Sequence, residues 1–471
     1  MVFTRLNQTF AFHASPEDFI SSRLQELAVS EPDLLPSSGE KSIIRASILN
    51  RSVHVVTSYQ LCKEILHSDG RKPSNRMRAS NTDENLRPDA FAVGPAYREL
   101  MSDWFPAPNI LMEDGLTHAE HKQQWREQLS TLPSDAETII REIARTFIKS
   151  TFIPGTRLDL YESLKALSWD LILGVFLGLG RTSDQEKFST VETAQEALLR
   201  GQFSLFPISI NTRFWQSARS KGLKARQDLQ VMLAEHIEQQ EHNACPLLHQ
   251  TRCTKPEISS HCLLFTSSIV NKALSSLLTA VLANLFLMPG EKPLAALLRS
   301  QTGQSREATL RSILLETERL SPPEIGVMRR VQQDVVLSTG DGDSANHHVP
   351  AEHDVWLYLS GANRDETVFE DAERFHFDRF MHEDGEDRPH GFGFGAGPKA
   401  CLGLGTVRRM LAIVAQELIE AGIDLEGVID EMGVKGWLGW AEVAPSAIAK
   451  DLKQLPSQRP RNPIMVTVRN V

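Results

Sequence analysis

The sequence predicts a mainly α-helical protein, one large helical domain with small β-sheet regions, across its 471 residues. Apolar residues recur at helical spacing over most of the chain up to Pro322-Pro323. Beyond that point short apolar runs alternate with turn residues, as strands do. No internal repeat or long linker divides the chain, so a single domain spanning 1–471 is the simplest architecture. Its ends, 1–60 and 430–471, read as partly strand or irregular.

Taken in order, SDAETIIREIARTFIKSTF opens on a cap-like Ser-Asp and carries a helical apolar stripe. Residues 158–179 and 223–241 follow the same pattern. ALSSLLTAVLANLFLMPG, residues 273–290, is interrupted by Ser275, Ser276, Thr279 and Asn284, and reads as a buried core helix. REATLRSILLETERLS, residues 306–321, stops at two prolines that cannot continue a helix. RRVQQDVVLSTGDG, HHVPAEHDVWLYLSG and PIMVTVRN read as strands, with TGDGDSAN as a turn-rich insertion. TVRRMLAIVAQELIEAG is an amphipathic helix.

A hydrophobic content of 41% and a charged content of 23% belong to an ordinary globular protein. The net charge of −10, without a long basic run, argues against nucleic acid as partner. The N-terminus has no apolar stretch of signal or anchor length, so a soluble, cytoplasmic monomer without a membrane anchor is expected. Five cysteines at irregular spacing make a poor disulfide framework. Three of them fall in ACPLLHQTRCTKPEISSHC beside His249 and His261, a conceivable zinc site whose spacing matches no paired-cysteine motif.

GFGFGAGPKACLGLG, residues 391–405, places six glycines around the single thiol of Cys401. Glycine permits close backbone approach and positive φ. A phosphate loop lacks its usual Gly-Lys-Ser/Thr continuation here. A thiolate raised towards a metal or cofactor and an idle surface loop are the other readings. Cys401 stands just before a helix, whose N-terminal N–H groups stabilise thiolate sulfur. Haem iron is one partner of such a ligand.

Phe394-Gly395-Ala396-Gly397-Pro398-Lys399-Ala400-Cys401-Leu402-Gly403 resembles the cysteine-ligand loop of the cytochrome P450 family. The resemblance implies haem b, with Cys401 as the iron ligand. Phe394 would pack beside the sulfur, Gly397 would make the tight turn and Gly403 completes the pattern. Lys399 would serve a propionate where the family usually has Arg or His. Glu316 and Arg319 resemble the family's Glu-x-x-Arg pair, and Ala372-Glu373-Arg374-Phe375 its third, arginine-bearing segment. Residues 360–380 resemble the approach to the loop, and Val349-Pro350-Ala351 the turn into its strand pair. Arg329, with Arg330 as the neighbouring alternative, would bind a propionate. His118 and Lys122, four apart on one helix face, would do the same, with Lys in place of Arg. The resemblance covers roughly residues 110–425 and is densest from 316 to 410.

It implies a haem-thiolate oxidoreductase, a monooxygenase on an apolar small molecule such as a secondary metabolite, served by an NAD(P)H-dependent redox partner. The central helix departs from the family. Counting back from Pro289 places its oxygen-activating signature at Ile269-Val270-Asn271-Lys272-Ala273-Leu274, so the catalytic positions are Asn271, Lys272 and Ala273. Lys272 stands for the usual acid and Ala273 for the alcohol. A register three residues earlier, Thr266-Ser267-Ser268-Ile269-Val270-Asn271, restores small residues but no acid. A substrate hydroxyl, ordered water, Asn271 or Ser268 would then replace the relay. The alternatives are a peroxide-using enzyme, an electron-independent isomerase, lyase or cyclase, or a non-catalytic haem sensor. GQFSLFPISINTRFWQ, residues 201–216, reads as a lid or as helix packing. Arg408 and Arg409 offer a docking point for a redox partner.

Overall fold

The computed structural model describes residues 2–30, 43–48, 51–68, 76–80, 85–130, 133–204, 208–239, 254–289, 293–338, 346–381, 389–427, 434–440 and 452–471. Contacts divide the chain into two compact units. One comprises Met1–Ala96, Ala280–Leu404 and Gly427–Ile464; the other comprises Tyr97–Thr279, Gly405–Glu426 and Met465–Val471.

The first unit opens on helices Val2–Ala14 and Pro16–Ser30, within the 1–60 stretch expected to be partly strand or irregular. Pro16 starts the second helix at a position that needs no N–H, and Glu17 and Asp18 suit its positive end. Strands Ile43–Ile48 and Arg51–Val56 then form an antiparallel hairpin. The hairpin continues into a five-stranded sheet through Asp354–Leu357, Val327–Val331 and Phe91–Ala92. Arg51–Val56 runs parallel to Asp354–Leu357, with Val55 opposite Trp356. A second sheet pairs Met77–Ala79, Val335–Ser338 and Asn346–Val349. Val335, Leu337, Val349, Val355 and Leu357 are all fully buried, so both sheets contribute to one apolar core around Tyr59 and Phe369. Glu17 ties the ends of the unit together. Its carboxylate accepts from Tyr358 Oη at 2.9 Å and Gln454 Nε2 at 2.6 Å.

The helix Gly303–Leu320 ends where the prolines require it to. The apolar run at 273–290 forms Ser268–Phe286, whose boundary between units falls after Thr279. Among the described residues this is the single helix long and apolar enough to cross a membrane, and 83% of its apolar window is buried inside the protein.

The second unit is helical. SDAETIIREIARTFIKSTF forms Pro133–Thr151, residues 158–179 give strand Arg157–Asp159 followed by helix Leu160–Leu177, and 223–241 lies within Ala218–Gln239. Gln185–Gln202 packs against Ala218–Gln239 through Gly201 and Gly222. A Cβ on either glycine would lie 2.9 Å from the other's Cα. Glu417 of helix Leu404–Glu420 accepts from Arg141 and Arg145, each at 2.6 Å, and so anchors Pro133–Thr151. Strand Met465–Asn470, expected as a strand from its pattern, pairs with Arg157–Asp159 at the start of a stretch expected to be helical.

The cysteine-rich segment is only partly within the described residues: Cys245, His249 and Cys253 lie outside them, as do residues 339–345 of the turn-rich insertion. His261 and Cys262 belong to helix Lys255–Phe265 and are buried. His261 accepts the Ile110 N–H at 3.3 Å and packs on Trp125. No metal-binding group of three ligands occurs among the described residues.

Candidate active site

The glycine-rich loop is held by its own unit. Gly395 N–H donates to Phe392 O and Cys401 N–H to Phe394 O, both at 2.8 Å, and residues 397–399 form a single 3₁₀ turn. Gly395 and Gly397 have φ of 67° and 66°, which a side chain rarely adopts. Gly397 also lies so close to the protein that a Cβ would sit 2.2 Å from Leu66 O. Gly391 and Gly393 press on the C-terminal turn of Gly303–Leu320, where a Cβ would meet Arg319 Cα at 2.8 Å and Glu318 O at 2.7 Å. These glycines therefore serve contact between protein segments. Cys401 comes out exposed, whereas Cys62 and Cys262 are buried. Phe394, Lys399 and Gly403 are half-buried around it in sequence.

What fixes this loop is a buried charge cluster. Arg319 donates to Glu316 through Nε at 2.8 Å and Nη2 at 2.7 Å, and both side chains are fully buried. The third arginine is Arg379, not Arg374. Arg379 Nε reaches Glu316 at 3.0 Å, while the Arg374 side chain is half exposed and only its carbonyl accepts from Arg319. The sequence offers two similar tetrads five residues apart, Ala372-Glu373-Arg374-Phe375 and Phe377-Asp378-Arg379-Phe380. The His376 N–H also donates to Glu316 at 3.1 Å, and this turn brings the second tetrad back over the helix. Burial pushes the Glu316 carboxyl up, but the two arginines and this N–H more than offset it and hold it below its ordinary range.

Asn363 carries the cluster to the loop. Its Oδ1 accepts the Phe392 N–H at 2.6 Å and its Nδ2 donates to Arg319 O at 3.0 Å. Arg319 Nη1 donates back to Asn363 O at 2.8 Å. Phe392 then stacks on Tyr59, with ring centroids 4.6 Å apart. Sequence reasoning singled out neither Asn363 nor Tyr59. The amide of Ser360-Gly361-Ala362-Asn363 was the available signal.

Strand alternation separates the two candidate arginines of Val327–Val331. Arg330 is committed to Asp354, which Arg51 also binds at 2.6 Å. Arg329, on the opposite face, is buried and donates to the Met328 carbonyl at 2.9 Å.

In the second unit His118 and Lys122 share a face of Gly115–Ser130 and are 6% and 5% exposed, so they are not ordinary surface residues. The helical stretch expected to carry the oxygen-activating signature is broken. Lys255–Phe265 stops at Thr266-Ser267, and Ser268–Phe286 begins anew. Gln195 spans the break, donating to Leu263 O at 3.1 Å and Thr266 Oγ1 at 3.2 Å. The earlier register thus falls on the break and the later one inside the helix. Lys272, 8% exposed, donates to both Glu196 carboxylate oxygens, at 2.8 and 3.0 Å. Asn271 donates to Lys165 O at 3.2 Å while its own Oδ1 is buried without a partner. Ala273 is half-buried. Burial raises the Glu196 carboxyl, but Lys272, Lys165 and Ser268 outweigh it and hold it below its ordinary value.

Residues 308–421 match the Cytochrome P450 family model. Over that quarter of its length the chain resembles the cytochromes P450. A mitochondrial cholesterol side-chain cleavage enzyme from Hypanus americanus is 35% identical over 95 residues, which is 20% of this chain and 17% of that protein. The alignment thus spans about a sixth of the relative. Among solved structures, a retinoic acid-bound cyanobacterial cytochrome P450 superposes with a TM-score of 0.68 at 18% identity, over 96% of this chain and 94% of that one. A cytochrome P450SP alpha variant gives 0.66 at 15% identity, over 98% and 99%. Cytochromes P450 carry haem b, and the local chemistry fits it. Cys401 is the exposed thiol among the described cysteines, and its backbone is fixed by the Phe394 carbonyl. It precedes helix Leu404–Glu420 by three residues.

Proposed function

We propose that this chain is a cytochrome P450, a single-domain haem-thiolate oxidoreductase that oxidises an apolar small molecule, most simply as a monooxygenase in secondary metabolism. The observation that carries the reading is the exposed Cys401 on a loop anchored through Asn363 to the Glu316–Arg319–Arg379 cluster. Cys401 is the iron ligand, with Phe394 and Gly403 shaping its loop, and His118, Lys122, Arg329 and Lys399 are the propionate donors. When bound, the haem supplies thiolate-ligated iron, which favours O–O cleavage. The polypeptide's part is to hold one sulfur in place and to control access and orientation. An apolar substrate accords with the retinoic acid bound by the cyanobacterial neighbour. A redox partner drawing on NAD(P)H would supply the electrons.

A second reading is supported by the central helix. The residue at the acid's position is a cation, Lys272, already neutralised by Glu196, and the alcohol's position is Ala273. A peroxide-using enzyme or an electron-independent isomerase or lyase needs no acid–alcohol relay. Product mass with and without reductant separates the two. A gain of one oxygen that needs both reductant and air supports the monooxygenase; an unchanged mass without reductant supports the isomerase.

The thiolate assignment is tested first. The reduced carbon-monoxide complex of the purified protein is expected to show the red-shifted Soret band of thiolate ligation, and Cys401→Ser is expected to lose it with the far-UV spectrum unchanged. A wild-type protein that lacks the band removes the haem-thiolate reading.

A further inference from the structure

HHVPAEH, residues 347–353, supplies three imidazoles in seven residues, and the first unit brings two of them to His54. In strand Arg51–Val56, Val53 and Val55 pack with Phe12, Phe19 and Trp356. Strand alternation therefore turns His54 to the opposite face. There its Nδ1 lies 2.8 Å from His347 Nε2, and its Nε2 lies 2.9 Å from His353 Nδ1. His347 shares a face of Asn346–Val349 with buried Val349, while His348 is exposed. The backbone of His353 is fixed on both sides: its carbonyl accepts the Val331 N–H at 2.9 Å and its N–H donates to Pro350 O at 3.3 Å. Three rings from three segments thus stand in a row that joins the five-stranded sheet to the second sheet. The cysteine loop and the residues assigned to the propionates include none of them.

A row of rings is not a closed ligand shell. His54 meets its two neighbours with different nitrogens, on different sides of its ring, so one ion cannot take all three rings. It can take two. Each N···N hydrogen bond needs one ring nitrogen without a proton, and that lone pair is what a metal ion binds. Imidazole nitrogen suits copper, nickel and zinc. Two nitrogens bonded at right angles to one ion, each at about 2.0 Å, lie about 2.8 Å apart, and at the tetrahedral angle about 3.3 Å. The 2.8 Å between His54 and His347 matches the right angle. That is the geometry of tetragonal Cu²⁺ and Ni²⁺.

We propose that His54 Nδ1 and His347 Nε2 form a two-nitrogen site for a tetragonal divalent ion, Cu²⁺ or Ni²⁺, with His353 as its positioning residue. The two rings tilt so that their lone pairs converge, and the proton they now share moves to Nδ1 of His347. His353 accepts the His54 Nε2–H, the outer hydrogen bond that fixes the tautomer and orientation of a ligating imidazole. His347 is half-buried, so the ion enters from its side and water fills the remaining positions. Arg45, opposite His54 in the hairpin register, opposes a cation, but it is exposed and solvent screens it. The bound ion cross-links the hairpin to the second sheet.

The probe is Ni²⁺, which thiols do not reduce. The full-length protein is cleared of loose metal with EDTA, dialysed against Ni²⁺, and its nickel counted by atomic absorption, with thermal melts run alongside. Wild type is expected to hold about one Ni²⁺ per chain more than His54→Gln or His347→Gln. His353→Phe, which keeps a ring but no acceptor, is expected to weaken the site about tenfold. His348→Gln, whose ring points to solvent, is expected to keep the nickel. Ni²⁺ is expected to raise the melting temperature of wild type and not that of His347→Gln. The far-UV spectrum checks that His347→Gln is folded, since its ring is only half-buried and the core is left intact. Equal nickel in wild type and His347→Gln overturns the proposal, and so does a melting shift that both share. Zn²⁺ held as tightly as Ni²⁺ overturns the right-angled geometry. None of these readouts depends on turnover.

Discussion

Arg379 and Arg374 give opposite predictions for one conservative-looking change. Glu316 is fully buried and its charge is met by two guanidiniums and one backbone N–H. Arg379→Ala removes one of the guanidiniums and also the hydrogen bond from Nη1 to Glu370 O at 2.7 Å. A hydrogen bond to a buried charge is worth about 1.5–3 kcal/mol, and stripping a buried ion of all its partners costs about 3–5 kcal/mol. Because Arg319 remains, the loss is about 2–3 kcal/mol. Unfolding entropy of about 2.1 cal/mol/K per residue gives about 1 kcal/mol/K for a chain of 471 residues. Arg379→Ala should therefore lower the melting temperature by at least about 2 °C. Arg374→Ala leaves its carbonyl, the atom that Arg319 uses, in place, and should fall within about 0.5 kcal/mol of wild type. In a Glu316→Gln background the Arg379→Ala cost should shrink, since the partner charge has gone. If Arg374→Ala proves as damaging as Arg379→Ala, or if the Arg379 cost is the same without Glu316, the assignment of the clamp is wrong.

Two further predictions concern pH. His54 joins two imidazoles, with Nδ1 2.8 Å from His347 Nε2 and Nε2 2.9 Å from His353 Nδ1. Burial first, then His347, His353, Arg45 and His348, hold it down to about 3. The unfolded state thus takes the proton first, so the stabilisation is full above about pH 6.5 and is lost as pH falls, at up to about 1.4 kcal/mol per pH unit. In urea melts at pH 7.5 and pH 5, the stability gap between wild type and His54→Gln should narrow at the lower pH; a constant gap refutes the linkage. Glu324 has the opposite sign. Burial raises it to about 7, only partly offset by the hydrogen bond from Ser457, so its contribution is complete below about pH 4.5 and is lost as pH rises through 7. Glu324→Gln should gain on wild type between pH 6 and 8, by about 1–2 kcal/mol once its partial exposure is allowed for; a gain that is already present at pH 4.5 counts against this origin.

The helices were legible because their apolar period and their stops are local properties. Gly303–Leu320 ends at two prolines. The same local reasoning missed the helices at the N-terminus, whose burial comes from long-range packing of Phe12, Phe19 and Ile20 on Trp356 and Tyr358. Cys401 was legible because a single thiol among glycines is unusual. The reason for the glycines was only half legible: Gly391, Gly393 and Gly397 make room for Arg319, Glu318 and Leu66, residues far away in sequence. Two neighbouring tetrads with the same Arg-Phe ending cannot be ranked by pattern. The turn through His376 decides between them, and that turn is a tertiary fact. Asn363 escaped notice for the same reason, since an amide acquires its importance from what its oxygen and nitrogen reach.

The altered central helix can be weighed on the same physical grounds. A lysine that is 8% exposed on an apolar helix is costly unless its charge is met. Lys272 is met in bidentate fashion by Glu196, a residue 76 positions away on Gln185–Gln202. Asn271 satisfies the Lys165 carbonyl, and Ser275 and Thr279 bond back to carbonyls of their own helix, at 2.5 and 2.7 Å. The bidentate pair meets a charge that burial would otherwise penalise, so removing Glu196 alone should destabilise the protein more than removing Lys272 and Glu196 together.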